Sequence, residues 1–572
     1  MSVGDALTDR EFERPSDTTL ALGGIVLVAF LVRIYALGAE SLWVDEIHST
    51  RVVIDHGPAY ILFVLPILDP HPPFYYEVLW LWTRFTGVTA TGLRSLSVVA
   101  SVASIPVLYW IARRLYDRRV GLLASLLFAF SPFYVWYARE TRMYALMTLL
   151  ALLSMWAMLT WLLDDDSWWA GPWKYGTVTT LLIYTHAFGA LIPLAQNVYV
   201  ALGLDPDAAD REWYEGWTRV QIAVGVASIP WFFNLLGGMF GEGRFQGNVA
   251  WIPDVTPLTV WKVAGSYVGR TQPPASPNVR RSLWTVGGVD LSPIGELVTF
   301  AALALLVSLG VRYLRSRWSG EESADTDGEA ADSDAETASD DADAGTEDGS
   351  TAGPDPEADR SESALCRFEP GVLLGCWLVV PLVAMYAASV LLTPLFFDRF
   401  TAAFGVAGVI LAAYALVDLT DRAARVGFTD ALGSPDRGTV AVAALCVLVL
   451  AVPLANLYTQ PQKQQWEEAA TVVEENADAG SLVVVTPVWA NSTYQYYADR
   501  DDLEYGEMPT GAVRWQVAEV TGDHSSVWLV VGHHNATQTD QLMHSMGAIN
   551  YERERHVSLT ELDVYHFVQE DT

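Results

Sequence analysis

Apolar runs about as long as a bilayer is thick recur along most of this chain. A helix needs roughly 20 apolar residues to cross the hydrocarbon. Runs approaching that length fall near residues 19–38, 93–112, 119–137, 142–163, 174–188, 189–203, 219–240, 293–314, 371–392, 401–417 and 438–457. Hydrocarbon offers no partner to a backbone N–H or C=O, so such runs must be helices. The chain therefore reads as a polytopic α-helical membrane protein with about 11 transmembrane helices. The run at 174–203 is split at "THAFG", where His186 and Gly189 interrupt it. The N-terminal residues before the first run are too polar for a signal peptide, and that run is long enough to remain as a span.

Basic residues favour cytoplasmic loops. "ARRLYDRR" (112–119), "RYLRSR" (312–317) and "DRAAR" (421–425) are the basic loops, and one topology puts all three inside. The N-terminus is then inside, and residues 39–92, 138–141, 241–292, 393–400 and the C-terminal region lie outside. The stretch 71–87, "HPPFYYEVLWLWTRFTG", is too short for a span. It is expected to be an interfacial helix, started by Pro72 and Pro73, with aromatics at headgroup depth.

These features divide the chain into a cytoplasmic tail (1–18), a membrane region (19–320) with an outer loop (39–92), an acidic linker (321–362), further spans (363–457) and an outer domain (458–572). The linker has no aromatic residue and no Leu, Ile or Val, so it cannot bury enough apolar surface to fold. From 458 onward the pattern changes. "QQWEEAATVVEENADAG" predicts an amphipathic helix ending at Gly480, "SLVVVTP" and "SVWLVVGHH" predict buried strands, and "LDVYHFVQ" predicts an edge strand. Alternating helices and strands indicate a C-terminal extracytoplasmic α/β domain. Sequons at Asn491 and Asn535 would lie on its outer side.

Asp and Glu number 67 against 34 Lys and Arg, a net charge of −33. The excess spreads beyond the linker, as in halophilic archaeal proteins, and no basic stripe exists for nucleic acid. Cys366, Cys376 and Cys446 lie in or beside apolar runs without metal-ligand spacing, and are expected to act as small buried hydrophobes. His48, His56 and His71 match no ligand pattern, and no metal site is assigned.

Charged residues near membrane depth are costly and mark function or pairing. Those on the outer side come from distant places: Asp45, Glu46, His48 and Arg51 in "SLWVDEIHSTR"; His71 before "PPFYY"; Arg139, Glu140, Arg142 and Tyr144 in "WYARETRMY"; Asp398 and Arg399 in "PLFFDRF". Arg33, in the first span, is expected to snorkel, and His186 to be a packed core residue or a kink partner rather than a ligand. A carboxylate can take the proton of an attacking hydroxyl, and arginines can hold a departing phosphate through bidentate hydrogen bonds. Together they suit transfer of a group from a lipid phosphate to a hydroxyl. A flippase for lipid-linked sugars would share the lipid groove and the arginines, but transporters tend to show internal repeats and none is seen. A surface receptor would leave the acidic and arginine motifs unexplained.

"WVDEIHS", "HPPFYYEVLWLWTRFTG" and "SPFYVWYARETRMYAL", in this order over about residues 20–200, resemble the GT-C glycosyltransferases. The likeness is to the branch of the protein O-mannosyltransferases (glycosyltransferase family 39) and the lipid A aminoarabinose transferases. It implies a GT-C fold, a dolichyl- or other polyprenyl-phosphate sugar donor, and inverting transfer of a hexose such as mannose to a glycan or glycoprotein. It places the enzyme in the cell membrane with an extracytoplasmic active site. It maps the catalytic acids onto Asp45, as base, Glu46 and Glu140. Arg142 and Arg399 become the donor-phosphate residues, with Phe400 where the family usually has Tyr. From the reading of the residues themselves, Arg51 and Arg139 are expected to join them at the phosphate, and His71, Tyr75 and Tyr144 to bind substrate. The resemblance leaves a divalent metal open as a cofactor.

Overall fold

The computed structural model describes residues 16–163, 171–203, 211–240, 252–269, 283–286, 289–333, 369–425, 434–459, 461–532 and 536–570, apart from 70 and 523. A helix, or a bent pair of helices, coincides with each of the eleven apolar runs. Among the described residues, seven of these helices are individually long and apolar enough to cross a membrane: Asp17–Ile34, Ala90–Leu115, Tyr144–Leu163, Ser292–Arg312, Pro370–Leu391, Asp398–Arg425 and Asp436–Thr459. The pair Arg118–Phe130 and Pro132–Ala138, bent by 61°, makes an eighth if it is one span. The chain is a polytopic helical membrane protein. The run at 174–203 divides where expected, with Pro172–Thr185 ending at His186 and Leu191–Gly203 beginning soon after.

The bend follows from Pro132. Proline has no N–H to give the carbonyl four residues back, here that of Phe128, and the break orphans the next carbonyl too. Arg33 supplies both, donating to Phe128 O at 3.3 Å and Ala129 O at 3.0 Å, with Nε on Ser101 Oγ at 2.9 Å. The side chain is fully buried. Arg33 is thus no snorkeller; it seals a helix break in the interior.

The three basic segments meet at one end of the bundle. Arg119 forms a bidentate pair with Asp421 at 2.7 and 2.8 Å, Arg312 pairs with Asp418 at 3.0 Å, and Arg118 reaches Thr18 at the start of the first span. The last apolar helix before the acidic tract continues to Ser333, so residues 321–333 are helical where no structure was expected. Glu and Ala are good helix formers, and extending an existing helix avoids the cost of nucleation. The remainder of the acidic tract, like Cys366 and Asn535, lies outside the described residues. Cys376 is buried and Cys446 half-buried.

At the other end, Val44–Asp55 and Phe74–Thr86 lie between the first span and the helix Ala90–Leu115. The second is a helix where the sequence pattern put one. Pro73 caps it, and Gly87, at φ +74°, ends it in a conformation that favours glycine. Tyr75, Tyr76 and Leu79 face inward, and Arg84 lies over the exposed side of Trp80, 4.3 Å from the ring centroid.

The C-terminal domain carries one five-stranded sheet in the order 504–507, 482–486, 526–532, 562–569, 551–559. The first three strands are parallel and the last two antiparallel. Leu482–Thr486 is buried along its whole length, as a strand covered on both faces must be. Leu562–Gln569, expected at the edge, is interior. Tyr551–Leu559, with mostly exposed alternating charges, takes the edge, where charge discourages pairing with other chains. The helix at 466 stops at Asn476, before Gly480. Asn491 is half-buried, and its amide donates to Glu507 at 3.3 Å.

Candidate active site

The site forms where the loop 39–89, the helix break at 139–143, the segment before the span at 402 and the entry to the C-terminal domain come together. Trp43 precedes the helix Val44–Asp55, so Asp45 and Glu46 occupy its first turn, where helix N–H groups favour negative charge. Adjacent on the helix, the two carboxylates point to different surroundings.

Glu46 is fully buried. Arg94 grips it with two parallel bonds, Nε to Oε1 at 2.8 Å and Nη2 to Oε2 at 2.7 Å. Thr141 N–H adds 2.8 Å and Lys463 Nζ 3.0 Å. These partners outweigh the burial that opposes its charge, and its pKa falls to about 2. The remaining Arg94 donors go to the carbonyls of Leu37, Glu40 and Ser41. A single guanidinium thus shapes the turn between the first span and the acidic helix. Lys463 also donates to Arg139 O at 2.8 Å. Burial and the neighbouring Arg94 hold it below the usual lysine value although Glu46 supports its charge. Every contact of Glu46 is internal, so its surroundings are those of a structural anchor rather than of a group open to substrate.

Asp45 faces the arginines. Its Oδ2 accepts from Arg399 Nη1 at 2.8 Å, and its carbonyl accepts from Arg142 Nη1 at 3.3 Å. Burial works against its charge, but Arg142 and Arg399, then His71 and His48, more than reverse this and hold its pKa below the ordinary value. Arg399 is buried among the rings of Trp43, Tyr144, Phe397 and Phe400. Asp398 turns back to accept from the Arg399 backbone N–H at 2.7 Å. The short helix carrying both is held from outside by Tyr267, whose hydroxyl donates to Thr401 O at 2.9 Å.

Glu140 is buried; Oε1 accepts from Trp136 Nε1 at 2.7 Å, while Oε2 has no hydrogen-bond partner in the protein. Burial raises its pKa to about 7, with Lys463 opposing. His71 meets Arg142; His186 lies edge-on to His71 at 6.5 Å between ring centroids and tilted against Tyr144 at 5.8 Å. His186 is buried at the end of its helix, where its Nδ1 accepts from Phe188 N–H at 3.2 Å, as a packed core or kink residue should be, and its ring also borders the site. Tyr75 is fully buried with an unpartnered hydroxyl.

Two of the expected phosphate residues are engaged elsewhere. Arg139 donates to Arg33 O at 3.1 Å, Tyr35 O at 2.5 Å and Ala36 O at 3.1 Å, and lies over Tyr458. It satisfies orphan carbonyls at the end of the first span, where a cation is favoured. Arg51 donates to Ser492 O at 2.8 Å and ties the acidic helix to the C-terminal domain. Sequence reasoning missed Asp69, Arg94 and Lys463. For Arg94 the signal was present, a charge at the start of an apolar run. Asp69 and Lys463 left none that we recognise. Among the described residues, no group of three or more His, Cys, Asp or Glu side chains could hold a metal ion.

A family model described as dolichyl-phosphate-mannose-protein mannosyltransferase matches residues 70–214, the segment that contributes His71, Arg94, Glu140 and Arg142. None of the curated proteins matches the chain significantly in sequence. Several solved structures are similar. The apo state of ArnT from Cupriavidus metallidurans aligns with 13% identity and a TM-score of 0.55, covering 96% of this chain and 98% of that one. The same protein bound to undecaprenyl phosphate gives 0.53, at the same identity and coverage. The apo oligosaccharyltransferase of Archaeoglobus fulgidus gives 0.51 at 13% identity, covering 96% of this chain and 74% of that one. At such identities the likeness is one of fold. With a multi-span helical bundle, a sheet-bearing C-terminal domain and this set of matches, the chain has the fold of the GT-C glycosyltransferase superfamily.

Proposed function

We propose that this protein is a membrane glycosyltransferase. It moves a hexose, mannose in our reading, from dolichyl or another polyprenyl phosphate to a hydroxyl of a glycan or glycoprotein. The reaction is an inverting single displacement. The acceptor oxygen bonds to C1 of the sugar as the bond from C1 to the phosphate oxygen breaks. The acceptor proton passes to Asp45, and polyprenyl phosphate departs with the bonding electrons.

The observation that carries this reading is the Asp45–Arg399 contact at 2.8 Å, with Arg142, from the helix break at 139–143, donating to the Asp45 carbonyl at 3.3 Å. It joins segments more than three hundred residues apart and sets a proton acceptor beside two cations. A donor phosphate would compete with Asp45 for Arg399. As the phosphate takes the guanidinium, the Asp45 oxygen is freed and becomes more basic. Each fixed cation facing the charge that develops on the leaving phosphate contributes about 2.7–4 kcal/mol to transition-state stabilisation. Glu140, with its free oxygen, and Tyr75, Tyr144 and His71 lie beside this group and are assigned to the sugar. The match of ArnT in its undecaprenyl-phosphate-bound state supports a lipid-phosphate donor. Clustering of Arg118, Arg119, Arg312 and Arg422 at the opposite end supports an extracytoplasmic site, since basic ends stay in the cytoplasm.

The test uses membranes containing the protein and radiolabelled dolichyl-phosphate mannose, glucose or another hexose, with endogenous glycans as acceptors. Label should pass to acceptor, and Asp45→Asn should abolish the transfer. Full activity in Asp45→Asn would remove the catalytic assignment, and absence of transfer with every lipid-linked sugar would remove the function.

A further inference from the structure

Beside the site lies a buried carboxylate with two histidine partners. Asp69 has 8% of its side chain exposed. Its Oδ2 accepts from His48 Nε2 at 2.6 Å, and its Oδ1 from His71 Nδ1 at 2.7 Å and the His71 backbone N–H at 2.7 Å. The far edge of the His71 ring meets Arg142, Nη2 to Nε2, at 3.0 Å. A guanidinium carries five N–H donors and no acceptor, so His71 Nε2 must present its lone pair. The ring proton is then on Nδ1, pointing at Asp69. Arg142 continues the line through Nη1, which donates to Asp45 O and Ser49 Oγ, each at 3.3 Å.

We propose that Asp69 is a positioning residue: it holds His71 in the neutral Nδ1–H tautomer, and His71 in turn fixes the Arg142 guanidinium toward the donor phosphate. The proposal rests on the transferase reading above. An ionised carboxylate only accepts, so a ring lying against Asp69 must turn an N–H toward it. If His71 carried its proton on Nε2, that N–H would oppose the N–H of Arg142, and the contact at 3.0 Å could not form. A doubly protonated ring would add charge repulsion to the same conflict. The titratable and charged groups around His71 are Asp69 on its own loop, Asp45 and His48 on the acidic helix, Tyr75 and Tyr76 on the next helix, Arg142 at the helix break, His186 and Arg399. Burial and Arg142 hold the His71 pKa below the usual histidine value against the upward pull of Asp69. The neutral ring that this contact needs is therefore the form present at neutral pH.

The test has two arms. In the first, the full-length protein labelled with ¹⁵N-histidine is studied by NMR in detergent at pH 7.5, and His71 is assigned by the signals lost in His71→Gln. The wild type should show a protonated Nδ1 and a bare Nε2, and Asp69→Asn should shift the ring to Nε2–H or to a mixture. A wild-type His71 that is charged or protonated on Nε2 overturns the proposal. This holds whether or not the protein transfers sugar, and whether or not the variant folds. In the second arm, Asp69→Asn should lower kcat/KM by about 10–100-fold, the scale of a misplaced binding group. The acid limb of its pH–rate profile should move to lower pH, because the charge that raises the His71 pKa is gone. A role confined to stability would reduce the yield of folded protein and leave that limb in place. An unchanged rate, or a lower rate with an unmoved acid limb, overturns the proposal. Absence of transfer by the wild type instead overturns the transferase reading and leaves the NMR arm to decide.

Discussion

Replacing Arg94 with Met would remove the guanidinium that holds Glu46 while keeping much of its apolar stem. Glu46 would remain fully buried with Lys463 and Thr141 N–H as its main partners, and the carbonyls of Leu37, Glu40 and Ser41 would each lose a donor. Breaking a buried, hydrogen-bonded ion pair costs about 3–5 kcal/mol. The carboxyl itself gives a second figure. Its pKa falls from 4.5 to about 2, and at 1.36 kcal/mol per unit this corresponds to about 3 kcal/mol of native-state support. Either figure is a large part of the roughly 5–15 kcal/mol that holds a domain folded. Thermal unfolding in detergent, followed by tryptophan fluorescence and by retention of the monodisperse peak, should show Arg94→Met melting well below wild type. Most of the loss comes from stranding a charge, so neutralising that charge should recover part of it. Glu46→Gln/Arg94→Met should therefore melt above Arg94→Met alone, with Lys463, already depressed, able to shed its proton. A second signature is the pH dependence. The folded-state pKa lies below the unfolded one, so this stabilisation is fully present above about pH 4.5 and declines as pH falls toward about 2. The acid decline should be shallower in Arg94→Met. Additive losses in the double variant, or an acid profile untouched by the substitution, would refute the reasoning.

Other outcomes follow from the same geometry. Asp45→Asn should abolish label transfer while lowering the melting temperature less than Arg94→Met does, since the Asp45 carboxylate is partly open and Asn can still accept from Arg399. Arg399→Gln should lower kcat by about 10²–10³, the usual effect of losing one donor to developing charge, measured with saturating lipid-linked sugar. Arg139→Ala should reduce thermal stability through the carbonyls it leaves at the end of the first span, while kcat/KM of the folded fraction stays near wild type. Gly405→Ala should destabilise the protein and slow transfer together. Its new Cβ would stand 2.1 Å from the Tyr267 hydroxyl that holds the segment 398–401 in place.

How far the sequence announces this structure depends on which physical constraint each residue obeys. The spans were legible because hydrocarbon forces a backbone to satisfy itself, and a run of apolar side chains cannot be disguised. The helix Phe74–Thr86 was legible from its length and its two prolines. The convergence of Asp45, Arg142 and Arg399 was legible as a set of costly charges at one predicted depth, although nothing in the sequence stated that Arg399 reaches Asp45 and Arg51 does not. The errors share a cause. Arg139 was read as charge held for a ligand, Arg33 as a snorkelling side chain, and Arg94 was not singled out, yet the backbone at a helix break has a ligand's needs of its own. Arg33 and Arg139 serve carbonyls orphaned by a proline bend and by the end of the first span. Arg94 serves the turn between that span and the acidic helix. These three arginines build the frame that lets Arg142 and Arg399 remain beside Asp45, so the division between cations that serve the backbone and cations left to face the Asp45 site is made by where the backbone breaks. Pro132 marks one such break in the sequence itself. An arginine on a neighbouring span at matching depth can therefore be expected to be consumed by the break before it is available to a substrate.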